Sequence, residues 1–160
     1  MSTTGLVLGK FLPPHAGHLH LLAEARSRVD RLAVVVGTIP REPIPGALRV
    51  EWMRELCPRD DVYHLPDDLP QEPHEHPQFW ELWTSALRRI LPAAPDVVFT
   101  SESYGDELAR RLGVPMPAEV EIVAIEAGDV RTLSESLTPA VEAAVEPLAR
   151  TENVHVQGAE

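Results

Sequence analysis

Two histidines and one lysine near the N-terminus have the residue types and spacing of a phosphate-binding site. His15 and His18 are three residues apart, with Ala16 and Gly17 between them, and Lys10 precedes the pair. If a helix begins near Ala16, both imidazoles can face one ligand at its N-terminus, where free backbone N–H groups and the helix dipole attract phosphate. Imidazole N–H groups and an ammonium can stabilise the negative charge that spreads over the oxygens of a transferring phosphate. The segment therefore predicts a nucleoside triphosphate ligand, with His15, His18 and Lys10 as catalytic residues.

The flanking sequence supplies the elements that must position these side chains. An apolar run over residues 5–9 predicts a strand that ends at Lys10, two prolines follow, and an apolar stripe from Leu19 to Val29 predicts a helix. Further strands are predicted at 32–37, 62–65, 97–100 and 120–125, with helical patterns between them and a last helix over about 139–150. This alternation predicts a three-layer α/β domain with a five-stranded parallel sheet, whose ligands bind at the carboxyl ends of the strands.

Composition limits the classes of partner and compartment. A length of 160 residues with 44% hydrophobic content suits one domain, expected over residues 1–150, with a polar tail at 151–160. The net charge of −11 argues against a nucleic-acid or anionic-membrane partner, because such surfaces attract clustered cations. The sequence has no apolar run of the roughly 18 residues that a membrane span needs. We therefore predict a cytoplasmic protein and leave open whether it forms a homo-oligomer.

The string Gly-Lys-Phe-Leu-Pro-Pro-His-Ala-Gly-His at residues 9–18 resembles the HxGH signature of a nucleotidyltransferase superfamily. Its longer form is similar to the nicotinamide mononucleotide adenylyltransferase domain of the NadR type, over about residues 4–115. The resemblance implies a Rossmann-like nucleotidyltransferase fold that transfers AMP from ATP to nicotinamide mononucleotide and forms NAD and pyrophosphate. It also implies that Gly9, Phe11 and Gly17 contact the nucleotide, and that Mg²⁺ arrives on the triphosphate without a metal site of the protein's own.

The loop after the fourth predicted strand offers a second group of candidate nucleotide-binding residues, Ser101, Ser103 and Tyr104. It resembles a Ser-Glu-x-Tyr-Gly string of NadR-type domains. An alternative interpretation is a capping box in which Ser103 and Asp106 only begin a helix that ends at Gly113.

Three residues are candidates for binding the acceptor. Trp83 continues the apolar stripe of its predicted helix, whereas Trp80 lies off the stripe and is the favoured partner for stacking on a flat pyridinium ring. Arg49 resembles an arginine of the family, and this resemblance implies a contact with phosphate. The alternative is that Arg49 only pairs with Glu51 or Glu55. A proline-rich loop at 66–77 carries His74 and His76; we interpret it as a solvated loop able to act as a mobile lid, not as a metal site.

One segment departs from the family pattern. Where the superfamily carries a Ser-x-Thr-x-x-Arg type motif, residues 134–139 supply Ser134 but lack the basic residue, for which Arg131 is the candidate substitute. This departure motivates two alternatives. One is a cytidylyltransferase, or other nucleotidyltransferase, acting on a different small phosphate or phosphonate. The other is a nucleotide-binding regulatory module that no longer catalyses transfer.

Overall fold

A computed structural model describes residues 2–100, 104–114 and 120–122, the last of these by their backbone only. Its strands are β1 (Thr4–Gly9), β2 (Arg31–Gly37), β3 (Asp61–Leu65), β4 (Val97–Thr100) and β5 (Val120–Ile122). All neighbouring strands are parallel, in the order β3-β2-β1-β4-β5. The parallel α/β class predicted from the apolar runs is confirmed; residues 123–125 of the predicted last strand lie outside the described residues.

Helices cover both faces of this sheet. They are α1 (Ala16–Arg28), α2 (Gly46–Leu56), α3 (Phe79–Ile90) and α4 (Gly105–Leu112), and a 3₁₀ turn spans Pro73–Glu75. On one face, Val34 and Val36 of β2 pack with α1 and α2; on the other, Val35 packs with α3 and α4. Successive strand residues point to opposite faces, so an unbroken apolar run is what a strand covered on both sides requires. The result is the predicted three-layer arrangement.

One helix start differs from the prediction, and two predicted segments lie outside the described residues. Helix α4 begins at Gly105, its N-cap is Tyr104, and the Tyr104 side chain makes no capping hydrogen bond. The helix thus begins one residue later than the Ser-x-x-Asp pattern indicates, and Ser103 itself lies outside the described residues. Gly113 ends the helix as predicted, with φ of 78°. The predicted helix at 139–150 and the tail at 151–160 lie outside the described residues, and none of the described helices is long and apolar enough to cross a membrane.

Candidate active site

A cavity of about 650 Å³ opens where β1 and β4 end side by side. This is the point at which the strand order reverses direction, and parallel α/β folds place their ligands in the crevice there. The loop after β1 and the start of α1 form one end of the cavity, and α3, α4 and the 3₁₀ turn form the other. The polar and aromatic residues that line it are Lys10, Phe11, His15, His18, Gln71, Glu72, Phe79, Trp80, Trp83, Thr100 and Tyr104.

His15 and His18 cap the first turn of α1 reciprocally. The backbone N–H of His15 donates to Nδ1 of His18 over 3.1 Å, and the backbone N–H of His18 donates to Nδ1 of His15 over 3.4 Å. The two rings stack with their centroids 3.7 Å apart. The arrangement has the form of a capping box, with imidazole nitrogens in place of the usual oxygens.

Burial determines the charge of both imidazoles, and the caps determine their tautomer. Burial lowers the pKa of His15, and burial together with the nearby charge of His15 lowers the pKa of His18 to about 3. Both rings are therefore neutral at pH 7, and a neutral imidazole carries one hydrogen. Since each Nδ1 accepts a hydrogen bond, that hydrogen is on Nε2. The two histidines thus keep one N–H donor each for a ligand in the cavity.

Phe11 gives the loop after β1 its shape. Its φ of 48° is the single positive value among the described non-glycine residues, and the Leu12–Pro13 peptide bond that follows is cis. The Phe11 side chain is buried, and its ring meets His18 edge-on with the centroids 4.8 Å apart. A Cβ at Gly9 would lie 3.1 Å from this ring, closer than most real contacts. Gly9 therefore makes room for Phe11, and Phe11 packs against the ring of His18.

Arg49 lies away from the cavity, inside the protein. Its side chain is 0% exposed and donates to the carboxylate of Glu42 at 2.7 Å, the Lys10 carbonyl at 2.8 Å and the Ile44 carbonyl at 3.2 Å. The predicted contact of Arg49 with a substrate does not occur in this arrangement, because all three guanidinium nitrogens bind protein groups. Its partner is also neither Glu51 nor Glu55. Arg49 instead holds the β2–α2 loop against the backbone of Lys10.

The far end of the cavity is an aromatic wall, formed by Phe79, Trp80, Trp83 and Tyr104. The indole N–H of Trp83 donates to the Pro70 carbonyl over 2.8 Å. The guanidinium of Arg111 lies 5.7 Å from the centroid of the Trp80 ring, within cation–π range. Both tryptophans line the cavity and pack against the same core, so the structure does not separate Trp80 from Trp83 as the apolar stripe did.

The proline-rich loop forms part of this wall and is tied to the domain at several points. Asp67 pairs with Arg89, and Asp68 pairs with Arg41 at 3.0 Å. Leu69 is buried in the core, and Pro70 accepts the bond from Trp83. Residues 72–77 are mostly exposed, which confirms the prediction of a solvated loop, while Leu69 and the two ion pairs tie its first half to the domain. Movement of the loop as a lid stays a prediction.

Several predicted residues take other positions. Gly17 lies inside the capped turn and is not among the described residues that line the cavity. Ser101, Ser103, Arg131 and Ser134 lie outside the described residues.

Sequence reasoning missed Glu42, whose side chain is only 6% exposed. The position of Glu42 in the loop after β2, at the same edge of the sheet as Lys10, could have indicated it from the sequence. No group of three or more His, Cys, Asp or Glu residues within the described ranges is arranged to hold a metal ion.

A three-layer α/β domain with its cavity at the switch point of a parallel sheet belongs to the Rossmann-like class of nucleotide-binding folds. A family model of cytidylyltransferase-like proteins matches residues 6–114, and the chain belongs to this family. Within it, the chain is a nucleotidyltransferase relative that resembles the NadR adenylyltransferase domain, as the string at residues 9–18 predicted.

Individual relatives agree with this assignment. The trifunctional NAD biosynthesis/regulator protein NadR of Escherichia coli is 28% identical, over 62% of this chain and 28% of that protein. Nicotinamide-nucleotide adenylyltransferase of Aeropyrum pernix is 29% identical, over 61% of this chain and 58% of the enzyme. The crystal structure of a NadR protein in complex with NAD and AMP-PNP superposes with a TM-score of 0.56 at 18% identity, covering 98% of this chain and 44% of the other. This likeness concerns the fold. The chain spans about a quarter of the length of the NadR protein and about three-fifths of the length of the Aeropyrum pernix enzyme.

Proposed function

We propose that this protein transfers AMP from ATP to nicotinamide mononucleotide. The observation that carries the proposal is the reciprocal cap, because it leaves two neutral imidazoles with Nε2–H donors at a helix N-terminus in a nucleotide-sized cavity. Relatives named as nicotinamide-nucleotide adenylyltransferases support the choice of substrates.

In the proposed reaction, an oxygen of the acceptor's 5′-phosphate attacks the α-phosphorus of ATP. A new P–O bond forms, the bond between the α-phosphorus and the α–β bridging oxygen breaks, and its electron pair leaves with pyrophosphate. The acceptor phosphate is already ionised, so no side chain has to remove a proton. Donors from His15 and His18 stabilise the charge that develops on the transferring phosphate, and Lys10 holds the triphosphate.

The opposite end of the cavity suits a flat, positively charged ring. Aromatic faces attract cations, and Glu72 is the one carboxylate among the described lining residues. A nucleotide with an anionic phosphate at one end and a pyridinium at the other matches this polarity. Mg²⁺ would arrive bound to the phosphate oxygens of the triphosphate and would neutralise part of their charge.

The test is pyrophosphate release, measured with each of ATP, CTP, GTP and UTP against a panel of acceptors that includes nicotinamide mononucleotide. We expect ATP with nicotinamide mononucleotide to react fastest. Strict dependence on CTP would instead support a cytidylyltransferase. Nucleotide binding by calorimetry without release from any pair would support a regulatory module.

The role of the histidines needs variants that separate capping from donation. His18→Asn keeps an acceptor near the position of Nδ1 but has no donor at the position of Nε2. We expect kcat to fall about 100-fold or more, the effect of losing one oxyanion donor. His20→Asn, at an exposed position of the same helix, is the matched control. Unchanged pyrophosphate release after His18→Ala would refute the mechanism.

A further inference from the structure

Lys10 has an unusual position in both the sequence and the cavity. It is the sole lysine of the 160 residues, although the chain contains many arginines. It is also the one lysine or arginine among the described residues that line the cavity, and both histidines there are neutral. The position of the Lys10 ammonium therefore determines where the strongest positive charge of the described cavity wall lies.

A single carboxylate makes the contact that holds it. Oε2 of Glu42 accepts from Nζ of Lys10 at 2.9 Å, while Oε1 accepts from the backbone N–H of Ile39 at 2.8 Å and from Arg49 at 2.7 Å. The Glu42 side chain is 6% exposed and the Lys10 side chain 45%. The anchor is thus buried and fixed by two other donors, and the cation that it holds belongs to a half-exposed residue that lines the cavity.

We propose that Glu42 is a positioning residue that fixes the ammonium of Lys10 at the phosphate end of the cavity. An ammonium has three N–H donors, so one can bind Glu42 while two serve the phosphate chain. A lysine side chain otherwise loses considerable rotamer entropy when it binds a ligand, and the ion pair removes part of that loss beforehand. The inference rests on the proposed function, because it assumes that Lys10 binds the triphosphate.

The charges in this group support the arrangement. Two cations, Lys10 and Arg49, share one anion, which leaves a net charge of +1. The fully buried Arg49 cannot reach a ligand, so the surplus charge acts through Lys10. Glu42 therefore neutralises the buried guanidinium without cancelling the attraction of the cavity for phosphate.

A double-mutant cycle tests the proposal. Glu42→Gln keeps an oxygen for Ile39 and Arg49 but places an amide NH₂ opposite the ammonium. We expect kcat/KM for ATP to fall about three- to tenfold, chiefly through KM for ATP, the size of effect given by a partly exposed charged pair. In a Lys10→Met background the same change should have almost no effect. Glu51→Gln, at an exposed position of α2, is the control. An equal loss in both backgrounds would overturn the proposal, because Glu42 would then act as loop support and not through Lys10.

NMR with ¹³C-labelled lysine provides a measurement that does not depend on turnover or on the stability of the variant. Because Lys10 is the sole lysine, its ε-CH₂ group gives one signal. We expect two distinct ε-proton shifts in the ligand-free wild type, and a change in these shifts when inorganic pyrophosphate is added. Shifts equal to those of free lysine in the wild type would overturn the proposal. If the wild type released no pyrophosphate from any triphosphate, the proposed function would fail, while loss of the two distinct shifts in Glu42→Gln would still decide whether Glu42 holds Lys10.

Discussion

Replacing Arg49 by methionine should destabilise the protein strongly, because the side chain has no route to solvent. The variant loses hydrogen bonds to two backbone carbonyls, worth about 1 kcal/mol each, and a charged bond to Glu42 worth about 1.5–3 kcal/mol. The expected loss in free energy of unfolding is about 3–5 kcal/mol, the cost of breaking a buried ion pair. For a chain of this length that corresponds to a fall in Tm of roughly 10 °C.

Urea unfolding followed by far-UV circular dichroism would measure this loss. Arg54→Met is the matched control, since Arg54 is exposed on the same helix and should change the stability by less than about 0.5 kcal/mol. The reasoning would be refuted if the Arg49 variant unfolded at the wild-type urea concentration. Weaker substrate binding at unchanged stability would instead assign Arg49 to the substrate, as the sequence resemblance suggested.

Three further perturbations follow from the geometry. Unfolded His18 takes up a proton near its ordinary pKa of 6.5, whereas the folded pKa is about 3. Stability should therefore be retained above pH 6.5 and fall by about 1.4 kcal/mol per pH unit as the pH drops below it. A pH series of urea melts should show a shallower slope of unfolding free energy against pH in His18→Asn. An equal slope in both proteins would contradict the lowered pKa of His18. Glu72→Gln should raise kcat/KM for nicotinic acid mononucleotide relative to nicotinamide mononucleotide, because a carboxylate on the wall repels an acceptor that carries one. Glu81→Gln, exposed and not among the described lining residues, should leave that ratio unchanged, and an equal shift in both variants would reject the idea. Gly46→Ala should cost about 1–3 kcal/mol in thermal unfolding, since a Cβ there would lie 2.6 Å from Thr38, and wild-type stability would show that the loop yields easily.

Local patterns in the sequence predicted the elements and the position of the two histidines. Short apolar runs indicated strands covered on both faces, and the spacing of His15 and His18 placed both on one helical turn, which the structure confirms. These features depend on neighbours within a few residues, where periodicity carries information.

The role of Arg49 depends on a contact between distant segments. Its guanidinium binds the Lys10 carbonyl, 39 residues away along the chain, as well as Glu42. The pairs of Asp67 and Asp68 likewise join residues 22 and 27 positions apart. A loop has no periodicity to show which of its charges will be buried or paired. The sequence therefore suggested a substrate contact for Arg49, or a pair with Glu51 or Glu55, although Arg49 is part of the supporting framework.

The reciprocal histidine cap also limits what the presence of the two histidines in a related chain says about its function. Nδ1 of each ring satisfies a backbone N–H of α1, so loss of either histidine leaves the helix start short of an acceptor whether or not the protein transfers nucleotides. A descendant that had lost catalysis would still be under pressure to keep a side-chain acceptor at each position, and asparagine also offers one. The atom on which selection for chemistry alone acts is Nε2, and substitution by asparagine separates that atom from the cap.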